Sequence, residues 1–183
     1  MVVLSAPFMI VWFQLNSLYA YQPVEVGQQQ TVVVELHAGI HPQDISLDLG
    51  DGIVLDQRVN LDDSASPVML LKVTPSVDGS WPIALTHGDD SVVKNLEVGT
   101  DPQRLARMRT SQPLAEFAAA HDPIVYFGDP VLPSDGFLQS ITIDYQPAAL
   151  GFLGGGEIDI MIWFVVVSMA VGFALKGAFG VEI

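Results

Sequence analysis

The sequence lacks cysteine altogether. Disulfides, thiolate zinc sites, iron–sulfur clusters and a cysteine nucleophile are therefore excluded. Basic residues are also scarce: seven Lys and Arg stand against 21 Asp and Glu, and the formal net charge is −14. A chain of this charge repels the phosphate backbone of DNA and RNA, so nucleic acid is not expected as a partner.

Motifs that carry catalysis or bind cofactors are missing as well. The chain has no Gly-x-Ser-x-Gly elbow, phosphate loop or dinucleotide fingerprint. Asp48 and Asp51 resemble a fragment of a calcium loop, but the remaining acids of such a loop are absent, and the segment is typical of a turn. The four histidines lack the helical spacing with a glutamate that a zinc protease needs. We therefore expect a protein that is not an enzyme and needs no cofactor or metal.

What the sequence does have is an apolar run at each end. The first, residues 1–21, carries no charged side chain, and at about 1.5 Å per residue it is about long enough for the ~30 Å of bilayer hydrocarbon. A retained transmembrane helix is favoured over a cleaved signal peptide. No basic residue precedes the run, and the large Leu18 occupies the position three residues back from a cut after Ala20. The predicted interface anchors here are Trp12, Tyr19 and Tyr21.

Polar side chains inside the predicted spans need partners, because a carboxamide that faces lipid unpaired is costly. The candidate intramembrane polar contacts are Gln14, Asn16 and Ser17 in the first span and Ser168 in the second. For Gln14, Asn16 and Ser17 two interpretations stay open. These side chains face another helix or a groove, or they lie at the membrane interface near a helix end.

The second apolar run predicts a transmembrane helix over residues 158–179. Asp159 is expected to mark one interface and Lys176 the other, with Lys176 snorkelling towards the cytoplasm. Two spans place both termini, including the tail 180–183, on the cytoplasmic side of the cytoplasmic membrane. Residues 151–157 contain four glycines and predict a flexible joint before this helix.

Between the two ends, short segments alternate apolar and polar residues. A period of two is that of half-buried strands, and Gly, Asp and Ser turns separate the segments. The predicted strands are residues 31–37, 45–49, 57–61, 68–74, 81–86, 92–98 and 138–145. Strands at this spacing over residues 22–150 predict an extracytoplasmic β-sandwich of the immunoglobulin-like kind, without its usual cysteine pair.

The alternation stops over residues 101–121. Asp101 is a suitable helix cap, and the Leu, Glu, Phe and Ala residues that follow are compatible with a short helical insertion. Arg104, Arg107 and Arg109 lie in it, and a spacing of three places the first two on one helical face. This face is either solvated or contacts lipid headgroups or an acidic partner. The predicted fold is thus a membrane protein whose two transmembrane α-helices flank a mostly β, immunoglobulin-like sandwich with a short helical insertion.

The exit of the first predicted span carries the residue pattern of a known family. The pattern consists of Trp12, Phe13, Leu15, Asn16, Tyr19, Ala20, Tyr21, Pro23 and Gly27, and the last helix ends near a basic residue, Lys176. In these features the chain resembles the archaeal and bacterial relatives of the YidC and Oxa-type membrane protein insertases. The similar branch is the one related to the insertase subunit of the endoplasmic reticulum membrane complex. The match is specific over residues 7–28 and contains no catalytic signature.

The resemblance implies a function in membrane protein insertion, in which a groove lined by polar side chains hydrates a client within the bilayer. The family's preceding transmembrane helix and cytoplasmic hairpin have no counterpart in these residues. The chain is then a fragment or a degenerate relative, or partner helices on another chain complete it. The expected partners are the lipid bilayer and other membrane proteins or client segments. An alternative from a different class is a membrane-anchored, immunoglobulin-like binding or scaffold subunit of an envelope complex.

Overall fold

The computed structural model describes residues 15, 18–63, 65–111, 129–149 and 155–179, with side chains up to Phe173 in the last range. The strands are β1 (Gln30–Leu36), β2 (Ser46–Leu49), β3 (Ile53–Leu61), β4 (Val68–Pro75), β5 (Gly79–His87), β6 (Asp90–Val98), β7 (Met108–Thr110) and β8 (Leu138–Ile143). A 3-10 helix, Pro42–Asp44, precedes β2, and the helix α1, Glu157–Phe179, follows β8. The seven segments predicted as strands are all strands.

The strands form two antiparallel sheets. One has five strands in the order β3-β4-β1-β8-β7, and the other has three in the order β2-β5-β6. Strand β1 is central in the larger sheet, where Val33 lies opposite Leu70 of β4 and Thr142 of β8. The larger sheet therefore depends on a pairing between residues that are far apart along the chain.

The core lies between the two sheets. In β1, Val32, Val34 and Leu36 are at most 1% exposed, whereas the residues between them are half-buried, as expected for one face turned inward. The other sheet contributes Ile83 and Leu85, which are fully buried in the same apolar cluster. The predicted β-sandwich is confirmed.

The prediction of two transmembrane helices is wrong. Among the described residues no helix is both long enough and apolar enough to cross a membrane. In α1 the acidic Glu157 and Asp159 occupy the first turn. The uncharged run of α1, residues 160–175, extends about 24 Å at about 1.5 Å per residue, against the ~30 Å of hydrocarbon. The first predicted span, 1–21, lies largely outside the described residues.

The predicted helical insertion is also wrong where the structure describes it. Residues 101–107 have no regular structure, and the chain then enters β7. Leu105 is 2% exposed and belongs to the core, while Met108 pairs with Thr142 of β8. Burial and strand pairing have overridden the local helix propensity. Arg104 and Arg107 therefore do not share a helical face, and residues 112–121 lie outside the described part.

Candidate functional site: an exposed apolar helix and its polar root

Helix α1 exposes apolar side chains on all its sides. Between 46% and 69% of the surface is exposed for Ile158, Met161, Trp163, Val165, Val166, Val167, Met169, Val171 and Phe173. Successive residues in a helix point about 100° apart, so the consecutive valines 165–167 face in different directions. Of the helix side chains that are described, only Asp159 and Ile160 are buried. A helix that is apolar all round requires a covering surface.

The amount of exposed apolar surface is large for a chain of this size. These side chains together leave on the order of 1,000 Å² uncovered, whereas the largest apolar patch on a typical monomer is ~300–600 Å². A specific protein interface buries about 800 Å² on each partner. The exposed area of α1 is thus in the range that a stable interface needs.

A groove runs along the first half of α1. Its volume is about 470 Å³, within the range of ligand and side-chain binding clefts. It is lined by Leu15, Tyr19, Ile160, Trp163, Phe164, Val167 and Ser168. Apart from the hydroxyl groups of Tyr19 and Ser168 and the indole N–H of Trp163, the side chains of this lining are apolar. The groove therefore suits an apolar occupant that can offer one or two hydrogen-bonding groups.

The helix is joined to the sandwich by a cluster of polar side chains that we call the polar root: Tyr21, Arg107, Asp144 and Glu157. The Arg107 Nη1 group donates a 2.8 Å hydrogen bond to the Tyr21 hydroxyl, and the guanidinium lies 4.4 Å from the centre of the Tyr21 ring. The Tyr21 hydroxyl also donates to Glu157 Oε1 at 3.5 Å. Asp144 lies 3.8 Å from Arg107. One tyrosine thus connects an arginine of the sandwich with the first residue of α1.

Backbone hydrogen bonds run beside the polar root. The Ala148 N–H donates to the Ala20 carbonyl at 2.9 Å, and the Gly156 N–H donates to the Ala148 carbonyl at 3.0 Å. The Gly155 N–H donates to Asp159 Oδ2 at 2.9 Å, so this acid caps the start of α1. Gly155 has φ 89°, and a Cβ on it would lie 2.6 Å from the Ala148 carbonyl oxygen. Only glycine fits there.

The structure brings several of the predicted site residues together at the start of α1. Tyr19 and Ser168 line the groove, Tyr21 and Arg107 form part of the polar root, and Asp159 is buried at the helix start. The predicted residues Trp12, Gln14, Asn16 and Ser17, and the side chain of Lys176, lie outside the described part. Sequence reasoning missed Glu157 and Asp144, since a contact between Tyr21 and a residue 136 positions away leaves no local signal.

The structure also describes the other two predicted arginines, Arg104 and Arg109. Arg104 is exposed, whereas Arg109 donates hydrogen bonds to the Pro130 carbonyl at 2.5 Å and the Val93 carbonyl at 2.8 Å. Arg109 therefore connects β7 with β6 and with the segment before β8. Whether Arg104 contacts a partner stays a prediction.

A buried ion pair lies elsewhere in the sandwich. Lys94 Nζ is 2.5 Å from Asp129 Oδ2 and donates to the Ala106 carbonyl at 2.5 Å. The Lys94 side chain is 3% exposed. Burial lowers the pKa of Lys94, and the charge of Asp129 acts in the opposite direction. Lys94 thus links β6 with the chain segments that contain Ala106 and Asp129.

Within the described ranges, no group of three or more His, Asp or Glu side chains is arranged to hold a metal ion. Comparison with known proteins gave no match to a family model, to a curated protein or to a solved structure. The resemblance to the insertases stays a prediction from residues 7–28. The functional argument therefore depends on α1 and its surroundings.

Proposed function

We propose that this protein is a binding or scaffold subunit, in which the β-sandwich carries α1 as a docking helix for the apolar helices of a partner protein. The observation that supports the proposal is the apolar exposure of α1 on all its sides. Exposed apolar area of this size marks an interaction surface, because leaving it in water costs roughly 25 cal/mol per Å².

The chemistry of α1 favours an uncharged, apolar partner. Residues 160–173 contain no charged side chain, although the chain as a whole is strongly acidic. Ser168 and Gly172 lie four residues apart on one face, and a Cβ added at Gly172 would meet no heavy atom within 4 Å. Small residues at this spacing let a second helix approach closely, and the groove beside Trp163 can receive its side chains. These features add to the area argument and do not replace it.

Several sequence predictions lie outside this proposal and stay predictions. They are the location in the cytoplasmic membrane with cytoplasmic termini, the immunoglobulin-like kind of sandwich, the absence of catalytic activity, and the insertase function. Three of the residues expected to line the insertase groove, Gln14, Asn16 and Ser17, lie outside the described part. We therefore argue for the binding class, which requires only the exposed surface of α1.

The proposal is tested by site-specific photocrosslinking of the full chain in its native cells. The photoreactive residue replaces Val167 on α1 in one sample and Val54 on β3 in the control, because these valines are equally exposed at 53% and 54%. We expect position 167 to capture one defined protein through an apolar peptide, and position 54 not to capture it. Val167→Asp should then reduce co-purification of that protein at least about tenfold, a loss of ~1.4 kcal/mol in binding.

Two outcomes would contradict the proposal. Adducts with lipid alone at position 167 would assign α1 to a lipid surface. Equal capture from positions 167 and 54 would mean that α1 is not the docking element. Val54→Asp provides the matched control for the aspartate variant, since it places the same charge on an equally exposed site of the sandwich.

A further inference from the structure

We propose that the polar root is a positioning device, which holds α1 in one direction relative to the sandwich. A partner bound to the helix is thereby placed in a fixed orientation. The inference deepens the proposed function and depends on it for its biological meaning. The geometry that carries it lies within the chain and does not depend on any partner.

Tyr21 makes three different contacts at once. Its ring is stacked under Arg107, its hydroxyl accepts from the same arginine, and that hydroxyl donates to Glu157 at the first position of α1. Asp144 adds a negative charge 3.8 Å from the other terminal nitrogen of Arg107, Nη2. Because the guanidinium is planar and rigid, contacts to both its edge and its face restrict the tyrosine in position and in tilt.

Two backbone hydrogen bonds lie beside these side chains. The Gly156 N–H donates to the Ala148 carbonyl, and the Ala148 N–H donates to the Ala20 carbonyl. The start of α1 is thus connected through Ala148 to the segment that precedes β1. Gly156 has φ 78° and, like Gly155, is held in a conformation that few other residues adopt. These two glycines permit one tight turn. The flexible joint expected over residues 151–157 stays a prediction, since residues 151–154 lie outside the described part.

Apolar side chains also pack together at the start of α1. Ala20 is fully buried and Ile160 is 4% exposed, and the two form a small cluster with Leu15 and Tyr21 packed against it. Polar, backbone and apolar contacts thus converge on the first turn of α1. The attachments are of three kinds, so a change in one weakens the orientation without unfolding the sandwich.

The test measures the distance between the sandwich and α1 by pulsed electron paramagnetic resonance on the full chain. Because the protein has no cysteine, spin labels attach only to introduced ones, at Val54→Cys on β3 and Met169→Cys on α1. We expect a narrow distance distribution in this parent. Tyr21→Phe keeps the ring over Arg107 but removes the hydroxyl, and it should widen the distribution about twofold.

The matched control is Tyr19→Phe, which makes the same chemical change two residues earlier, in the groove. It should leave the distribution narrow. A thermal unfolding scan of both variants checks that the sandwich stays folded, and Glu157→Gln, which keeps an acceptor for the Tyr21 hydroxyl, should behave like the parent.

A broad distribution in the parent would overturn the inference, and so would a Tyr21→Phe distribution as narrow as that of the parent. No partner enters this measurement. A broad distance distribution would therefore contradict the fixed direction of α1 but not its role as a docking helix. A failure of photocrosslinking would leave the fixed direction of α1 intact.

Discussion

At the scale of single residues, the turn between β2 and β3 shows how one large side chain restricts which residue types can lie next to it. Trp81 lies over this turn, and its indole Nε1 donates to the Val77 carbonyl at 2.8 Å. A Cβ on Gly52 would lie 2.1 Å from the indole ring, and a Cβ on Gly50 would lie 2.8 Å from Pro82. Glycine is required at position 52 by this close approach of the indole and not by an unusual φ.

We therefore predict that Gly52→Ala lowers the free energy of unfolding by ~1–3 kcal/mol, because the indole must shift and lose its packing. Urea denaturation followed by tryptophan fluorescence measures the change. Gly172→Ala is the control, since its Cβ meets nothing within 4 Å, and it should be neutral or stabilise α1 by up to ~1 kcal/mol. Equal stabilities of the parent and Gly52→Ala would show that the turn adapts without cost.

At the scale of elements, the two sheets are tied together at one edge by Lys94. This residue lies on β6 of the smaller sheet, whereas Ala106 and Asp129, its partners, flank β7 of the larger sheet. The Lys94 side chain is 3% exposed and that of Asp129 is 20% exposed. Such an ion pair contributes little by itself, but removing one partner leaves the other charge without its counter-charge in a largely buried site. Replacing only one member of the pair is therefore expected to lower the stability more than replacing both.

We predict that Lys94→Met destabilises the protein by roughly 3 kcal/mol, as expected for a buried pair that loses one member. The double variant Lys94→Met/Asp129→Leu should recover a large part of this loss, because neither charge then stays buried. Lys72→Met on β4, where the side chain is exposed, is the control and should change stability by less than ~0.5 kcal/mol. Thermal unfolding monitored by circular dichroism measures all three. A double variant no more stable than Lys94→Met would contradict the charge argument.

At the scale of the whole molecule, β8 completes the sandwich late in the chain. It lies between β1 and β7 in the larger sheet, and Leu138, Ile141 and Ile143 are each at most 1% exposed. Burial of such side chains contributes ~1.5–3 kcal/mol each, which together is comparable with the ~5–15 kcal/mol of total stability of a domain. The first 111 residues by themselves thus lack an essential part of the core.

We predict that a chain ending at Ala149 unfolds cooperatively, whereas a chain ending at Ser111 does not. The first retains β8 and loses α1, and the second loses both. Circular dichroism during heating distinguishes a sigmoidal transition from a gradual change. A sigmoidal transition in the shorter chain would mean that the pairing of β1 with β8 is dispensable for the fold.

Much of the fold was predictable because a half-buried strand has a local signature. Alternation along residues 31–37 and 68–74 predicted β1 and β4 to within one residue at each end. Strand β3 begins four residues before its prediction at residue 57, since a bulge between Leu55 and Gln57 interrupts the alternation. Of the candidate site, the sequence indicated five residues, but in other roles: as interface anchors, intramembrane polar contacts or headgroup contacts. They are Tyr19, Tyr21, Arg107, Asp159 and Ser168.

By itself, the sequence determined the seven strands other than β7, the turns between them and the apolar character of α1, because each depends on residues that are neighbours along the chain. Only the tertiary structure decided that residues 108–110 form β7 and that Tyr21 meets Arg107 and Glu157. These outcomes depend on which distant segments become neighbours. No periodicity within a short window reports such pairing, since the free energy that selects it comes from burial and hydrogen bonds between segments.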